Sequence, residues 1–216
     1  LVATVAHEIR SPLTSVKGFT RTLLSRWDRF SDEQKHAMLA TVEADADRVT
    51  RLLSDLLDVS RIDAGRVKLW RIPVHVDHLL DEIVGKARMR FPDREVERAA
   101  ERDLPPVLAD RDKLEQVLTN LIDNALQHAP GSPVTVSVAR DQEGLRISVR
   151  DHGPGVTVDQ PGLLFTKFGR GQTGHRSGTG LGLYLTKGLV EAHGGRIAFD
   201  DEVTDGAQVD VWLPFD

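Results

Sequence analysis

Apolar residues in the first sixty positions recur at steps of three and four. Val5, Ile9, Val16, Thr20, Leu23 and Trp27 follow this spacing, with Leu13 bridging the gap, and Leu39, Val42, Ala46, Val49, Leu53 and Leu56 repeat it more strictly. Such alternation traces a narrow stripe along a helix, the seam of a coiled coil or helical bundle. The pattern therefore predicts two long amphipathic helices. Only Trp27-Asp28-Arg29-Phe30-Ser31-Asp32 separates them, a length that fits an antiparallel turn. Ser31 and Gln34 have the spacing of a capping box, which starts the second helix there. A single helical hairpin leaves its seam in water, and a second copy of the chain buries it. The first expected fold is thus an all-α hairpin paired into a homodimeric four-helix bundle.

The three-four rhythm ends near Arg61-Ile62-Asp63-Ala64-Gly65-Arg66, which reads as a connector and pivot. Beyond it, Val67 to Ile72 reads as a short strand and Asp77 to Met89 as a helix, and Asp110 caps another helix that runs to about His128. Val134, Val136 and Val138, then Leu145, Ile147 and Val149, alternate with polar residues on either side of Asp-Gln-Glu-Gly, the pattern of a β-hairpin. A glycine-rich stretch over 152–182 leads into a helix ending near His193-Gly194-Gly195, and strands over 196–200 and 207–213 close the chain around Asp205-Gly206. These consecutive strands predict an α+β domain, a mixed sheet covered on one face by helices. The expected domains are residues 1–64 and 65–216.

Composition narrows the function. With 40% hydrophobic and 28% charged residues the chain can build a core. A net charge of −5, with the basic residues scattered, argues against a nucleic-acid binder. There is no cysteine, which removes disulfides, thiolate metal sites and cysteine nucleophiles. No apolar run approaches the roughly 18 residues of a membrane span, and the opening LVATVAHEIR lacks the form of a signal peptide. That opening reads as the middle of a helix. The expectation is a cytoplasmic portion of a longer protein, with any membrane attachment in segments upstream.

Several polar residues carry possible chemistry. His7 lies between Val5 and Ile9 but about 200° round the helix from Val5, on the outer face. Its neighbour Glu8 can accept the Nδ1 proton and leave Nε2 as a neutral nucleophile. Pro12 removes a helical hydrogen bond just beyond them. Asn120 and Asn124 stand one turn apart on one helical face, and an amide oxygen is an acceptable Mg²⁺ ligand. Asp151-His152-Gly153-Pro154-Gly155 places a carboxylate at a strand end, where it can accept a proton from an adenine amino group. Gly178-Thr179-Gly180-Leu181-Gly182 opens a helix whose free N–H groups attract phosphate. It fits neither a Walker loop nor a Rossmann turn. Each feature also has an ordinary reading: a solvated histidine, exposed amides, a turn, a glycine-rich loop.

Taken together they resemble the sensor histidine kinases of two-component systems. His7-Glu8-Ile9-Arg10-Ser11-Pro12-Leu13-Thr14 resembles the H-box, in which the histidine is autophosphorylated and the adjacent acid is its base. Gln116 to Ala125 resembles the N-box, which implies Mg²⁺ on Asn124 and polar support from Asn120. DNA gyrase has Glu at the position of Asn120, and Asn is a poor base, which fits delivery of phosphate to histidine rather than hydrolysis. Asp151, Gly153 and Gly155 resemble the adenine-binding G1 box. Phe165-Thr166-Lys167-Phe168-Gly169-Arg170 resembles the F-box, with Phe168 and Arg170 toward the nucleotide. Gly178, Thr179, Gly180, Leu181 and Gly182 resemble the phosphate-binding G2 box. Ser11 departs from the commoner Thr or Asn that orients water to dephosphorylate the partner. A serine hydroxyl still holds water, so phosphatase activity stays open. The resemblance implies an α+β sandwich of the histidine kinase and gyrase ATPase type behind the hairpin. It also implies ATP and Mg²⁺, and a response regulator receiver domain as partner. A nucleotide-binding module without transfer and a gyrase-like ATP-hydrolysing machine are the rival readings.

Overall fold

The computed structural model describes residues 2–101, 103–142, 144–156, 161–169 and 180–216, with backbone alone for residues 2–5, 7 and 100. The chain divides into two compact units, Leu1–Ser60 and Arg61–Asp216.

The first unit is a helical hairpin. Helix α1 (Val2–Arg26) and helix α2 (Asp32–Asp63) are joined by a single 3-10 turn, Trp27–Arg29. The last three residues of α2 belong to the second unit. The predicted capping box is formed: Gln34 N–H donates to Ser31 Oγ at 3.3 Å, and Ser31 N–H donates to Gln34 Oε1 at 3.0 Å. Pro12 sits inside α1 and is buried. The seam is covered on one side only. Leu23 is buried and Val16, Val42, Val49 and Leu56 are half-buried, whereas Leu13, Leu39 and Leu53 stay exposed.

The second unit begins with β1 (Ile72–Val74) and α3 (Val76–Arg90), followed by β2 (Val96–Ala100), β3 (Val107–Ala109) and α4 (Arg111–His128). The hairpin β4 (Val134–Asp141) and β5 (Gly144–Asp151) comes next, then a 3-10 turn at Pro161–Phe165, α5 (Gly182–Ala192), β6 (Arg196–Phe199) and β7 (Ala207–Pro214). Five strands form a mixed sheet in the order β2-β4-β5-β7-β6, with β2 parallel to β4 and all other neighbours antiparallel. The predicted hairpin has its expected register, Val136 opposite Val149 and Val138 opposite Ile147.

One prediction fails here. Residues 67–71 form no strand; the strand is Ile72–Val74, paired antiparallel with Val107–Ala109 in a separate two-stranded sheet. The distant segment 107–109 sets where pairing begins, and nothing local to 67–72 reports it. Strands β2 and β3 were not foreseen at all.

Period-two alternation turns Val134, Val136, Val138, Leu145, Ile147 and Val149 to one face, where they share a core with Leu80, Leu114, Leu118, Ile122, Leu185 and Leu189 from α3, α4 and α5. The other face carries Thr135, Ser137, Arg146 and Ser148, none of them buried. Asp110 caps α4 as predicted, its Oδ1 accepting from Lys113 N–H at 3.2 Å. The same carboxylate accepts from Trp70 N–H at 2.9 Å through Oδ2, which pins the connector to the start of α4.

Candidate functional site

Helix α4 turns Leu114, Val117, Leu118, Leu121, Ile122 and Ala125 into the core. That orientation leaves Asn120 and Asn124 half-buried together on an adjacent face. The Asn120 Nδ2 is buried without a hydrogen-bond partner in the structure, an orphaned donor of the kind that accompanies a binding site.

At the end of β5, Asp151 is 8% exposed. Its Oδ1 accepts from Gly153 N–H at 2.9 Å, an Asx-type turn that aims the carboxylate along the loop. Two glycines make this geometry possible. A Cβ on Gly153 would stand 2.6 Å from Ala129 Cβ, at the C-cap of α4. Gly206, at φ +100°, would put one 1.9 Å from the Asp151 carbonyl oxygen. The Asp151–Gly155 segment is thus pressed between the end of α4 and the 205–206 turn.

Sequence reasoning missed what fixes that turn. Asp205 accepts from Arg150 Nη2 at 2.6 Å through Oδ1, and His152 Nδ1 lies 3.3 Å from its Oδ2. The bond with His152, and secondarily the Arg150 charge, hold the Asp205 carboxyl below its usual range. Asp205-Gly206 had read only as a turn, and its closeness to residues 150–152 follows from the pairing of β5 with β7.

Phe165 is buried with its ring centroid 5.1 Å from that of Phe199. Phe168 is half-buried at φ +63°, and its N–H donates to the Gly180 carbonyl at 2.9 Å. Leu181, 1% exposed, is the N-cap of α5. Gly182 begins the helix, and a Cβ there would meet nothing within 4 Å. A helix start of this kind attracts an anion. Arg170, Gly178 and Thr179 lie outside the described residues.

In the hairpin, His7 lies on α1 and its side chain is outside the described residues. Ser11 is exposed. Glu8 is mostly buried and pairs with Arg48 of α2, Nη2 to Oε2 3.3 Å. That partner was not anticipated, since it lies forty residues away.

Residues 109–216 match the family described as histidine kinase-, DNA gyrase B-, and HSP90-like ATPase, and residues 1–65 match the His Kinase A phospho-acceptor domain. The chain belongs to the sensor histidine kinases. It is a histidine kinase catalytic core, a phospho-acceptor hairpin followed by an ATP-binding ATPase domain. Sensor protein KdpD of Mycobacterium tuberculosis is 35% identical over 214 residues, covering 97% of this chain and 25% of the relative. KdpD of Clostridium acetobutylicum is 29% identical over 96% of the chain and 23% of the relative, so the kinase core spans about a quarter of these relatives' length. The crystal structure of full-length ShkA in complex with AMPPNP superposes with a TM-score of 0.74 at 31% identity, covering 99% of this chain and 45% of that one. Histidine kinase ThkA in complex with the response regulator TrrA shares the fold, with a TM-score of 0.68 at 22% identity over 100% of this chain and 61% of that one. Among the described residues no helix of the kinase core is long and apolar enough to cross a membrane.

Proposed function

We propose that the chain autophosphorylates His7 with the γ-phosphoryl group of ATP and passes that group to an aspartate of a response regulator. The observation that carries this reading is the joining, in one chain, of a phospho-acceptor match that contains His7 with an ATP-binding fold in which Asn120 and Asn124 are half-buried one helical turn apart and the Asn120 Nδ2 has no hydrogen-bond partner. Acceptor and donor sites together imply transfer; the second alone would imply only binding or hydrolysis.

In the proposed reaction His7 Nε2 attacks the γ-phosphorus in line. An N–P bond forms, the bond to the β,γ-bridging oxygen breaks, and ADP leaves with its electron pair. Glu8 accepts the Nδ1 proton, so the imidazole stays neutral as a nucleophile. Asp151 takes the adenine amino group, Gly153 and Gly155 let backbone approach the ring, and Phe168 bounds the site. The Gly180-Leu181-Gly182 end of α5, with Gly178, Thr179 and Arg170, receives the phosphates.

Asn124 and the nucleotide's own phosphates would hold Mg²⁺. An amide oxygen is a suitable hard donor, and the described residues contain no acidic or histidine cluster that would make an all-protein cage. The ion supplies charge neutralisation for the phosphoryl group. The hairpin would dimerise, since half of its seam is uncovered in one chain. A receiver domain is the phosphate's destination, as TrrA partners ThkA. Exposed Ser11 would hold a water that hydrolyses the regulator's aspartyl phosphate, releasing inorganic phosphate and the free carboxylate. The protein would act as the cytoplasmic part of a longer sensor.

Incubation with γ-labelled ATP and Mg²⁺, followed by acid and alkali treatment, tests this. Wild type should take up acid-labile, alkali-stable label, His7→Ala none, and Asn124→Ala at least about 100-fold less. Tight ATP binding without label in a confirmed dimer would replace this reading with a nucleotide-binding module.

A further inference from the structure

We propose that Asp63 is a positioning residue for nucleotide binding: its carboxylate ties the first turn of α5 to the residue before Phe168 and so holds the glycine-lined end of α5 in place. The proposal rests on the ATP-site reading above and adds a residue from outside every motif that supports it.

The two carboxylate oxygens serve different segments. Tyr184 Oη donates to Oδ1 at 2.6 Å, and Lys167 Nζ donates to Oδ2. The Lys167 ammonium also lies 5.2 Å from the centroid of the Tyr184 ring. The three groups therefore form a closed set in which each touches the other two. Lys167, and then Tyr184, hold the Asp63 carboxyl below its usual range. In return, the bond to Asp63 pushes the Tyr184 phenol up to about 12. At neutral pH the carboxylate is ionised and the phenol keeps the proton it donates.

The neighbouring residue fixes where this carboxylate stands. A Cβ on Gly188 would lie 2.7 Å from Ile62 Cδ1 and Cγ2. The bare helix surface at Gly188 thus receives the Ile62 side chain, and Asp63 is carried to Tyr184, one helical turn nearer the start of α5. On the other side, Lys167 directly precedes Phe168, whose N–H bonds the Gly180 carbonyl. A Cβ on Gly180 would stand 2.8 Å from Phe168 Cα. Residues 167–168 and 180–184 are therefore joined twice, once by backbone and once through Asp63. The side chains of Asp63 and Lys167 are 38% and 35% exposed, and ion pairs that exposed contribute little to folding stability. What this one supplies is geometry, at the helix end proposed to meet phosphate.

The test uses the full chain and calorimetric binding of AMPPNP with Mg²⁺. Asp63→Asn and Tyr184→Phe should each weaken AMPPNP binding about three- to ten-fold, with thermal midpoints close to wild type. The double variant should bind no more weakly than Asp63→Asn alone, because the two residues form one tie. Asp63→Glu, which keeps the charge, should recover most of the loss. Labelling at saturating ATP should stay within about two-fold, so that the effect falls on KM rather than kcat. Unchanged affinity in both single variants, additive losses, or losses that track a fall in thermal midpoint would overturn the proposal. Binding is read without phosphoryl transfer. A wild type that binds AMPPNP but takes no label would refute the kinase reading alone, and no AMPPNP binding by wild type would refute both.

Discussion

The two units of this chain handle apolar surface in opposite ways. The α/β unit closes a core within itself: Leu80, Leu114, Leu118, Leu145, Ile147 and Leu185 are each fully buried. At roughly 25 cal/mol per Å² of apolar area, such residues make its fold independent of any partner. In the hairpin, by contrast, only Pro12, Leu23 and Val59 among the apolar side chains described are buried, while Leu24 is 83% exposed, Leu57 61% and Leu53 50%. Helix propensity and caps keep the hairpin helical, but they cannot hide a seam that only another seam fits. The nucleotide unit can therefore be tuned residue by residue inside one chain, whereas the acceptor unit, in the proposed dimer, is completed by association.

The largest test of that contrast attacks the uncovered half of the seam. Leu39→Glu with Leu53→Glu places charge where two hairpins should meet, and the dimer dissociation constant should rise by at least about 100-fold in sedimentation equilibrium. AMPPNP affinity should not move. A dimer as tight as wild type would show that the hairpin is completed by some other surface. Next in size, Asp110→Ala strikes the self-contained unit. This buried carboxylate caps α4 and also accepts from Trp70 N–H, so its removal strands two donors. It should lower the stability of the α/β unit by about 2–3 kcal/mol in urea unfolding, leaving the dimer intact.

How far each unit was legible follows from the range of its interactions. Ser31 with Gln34, and Asp110 with Lys113, are caps three residues long, and both stand where the sequence places them. The β4–β5 register is carried by alternation on both strands and was equally readable. Strand β2 pairs in parallel with β4, more than thirty residues away, and its Val-Glu-Arg-Ala-Ala hardly alternates, so nothing nearby announces it. The nucleotide motifs were visible as motifs. The groups that hold them were not: Asp205 beside Arg150 and His152, Gly206 against Asp151, and Asp63 between Lys167 and Tyr184 all depend on contacts 50 or more residues apart, and the shift of the first strand to Ile72 depends on a partner more than thirty residues away. In the hairpin the stripe was clear, but not which half one chain would cover. That depends on helix rotation, and a three-four spacing leaves the rotation free within a stripe's width.

A smaller effect should separate the units by pH. His193 is 2% exposed. Its Nε2 accepts from Asp110 N–H at 3.0 Å, and its Nδ1, 2.7 Å from the Leu189 carbonyl, carries the proton. The neutral ring is thus fully satisfied, and burial, with a smaller contribution from Arg71, lowers its pKa below 6.5. A histidine held neutral in the folded state resists protonation that the unfolded chain accepts. Its contribution is therefore complete above pH 6.5 and is lost as pH falls through that value toward the lowered native pKa. Thermal unfolding of the α/β unit should weaken over that window, and His193→Gln should flatten the dependence. The histidine-linked loss should be absent from dimer dissociation. An unchanged pH profile in His193→Gln would place the titrating group elsewhere.

The smallest change isolates the hairpin's own local stability. Ser31→Ala removes the hydroxyl that accepts from Gln34 N–H and leaves the N-terminal turn of α2 one partner short. Exposure lets water replace much of that bond, so the loss should be about 0.5–1 kcal/mol, well below that for the buried Asp110 cap. The signal belongs in the dimer-dependent melting of the hairpin, read by far-UV circular dichroism at two protein concentrations. If association completes this unit as proposed, the midpoint should rise with concentration for wild type and Ser31→Ala alike, the variant lying lower at both. The inequality has two sources: the buried Asp110 carboxylate serves a second donor, Trp70 N–H, and water cannot replace it as readily. Equal losses at Ser31 and Asp110 would mean that the hairpin turn is buried in the dimer, and that its closing surface reaches farther than the seam.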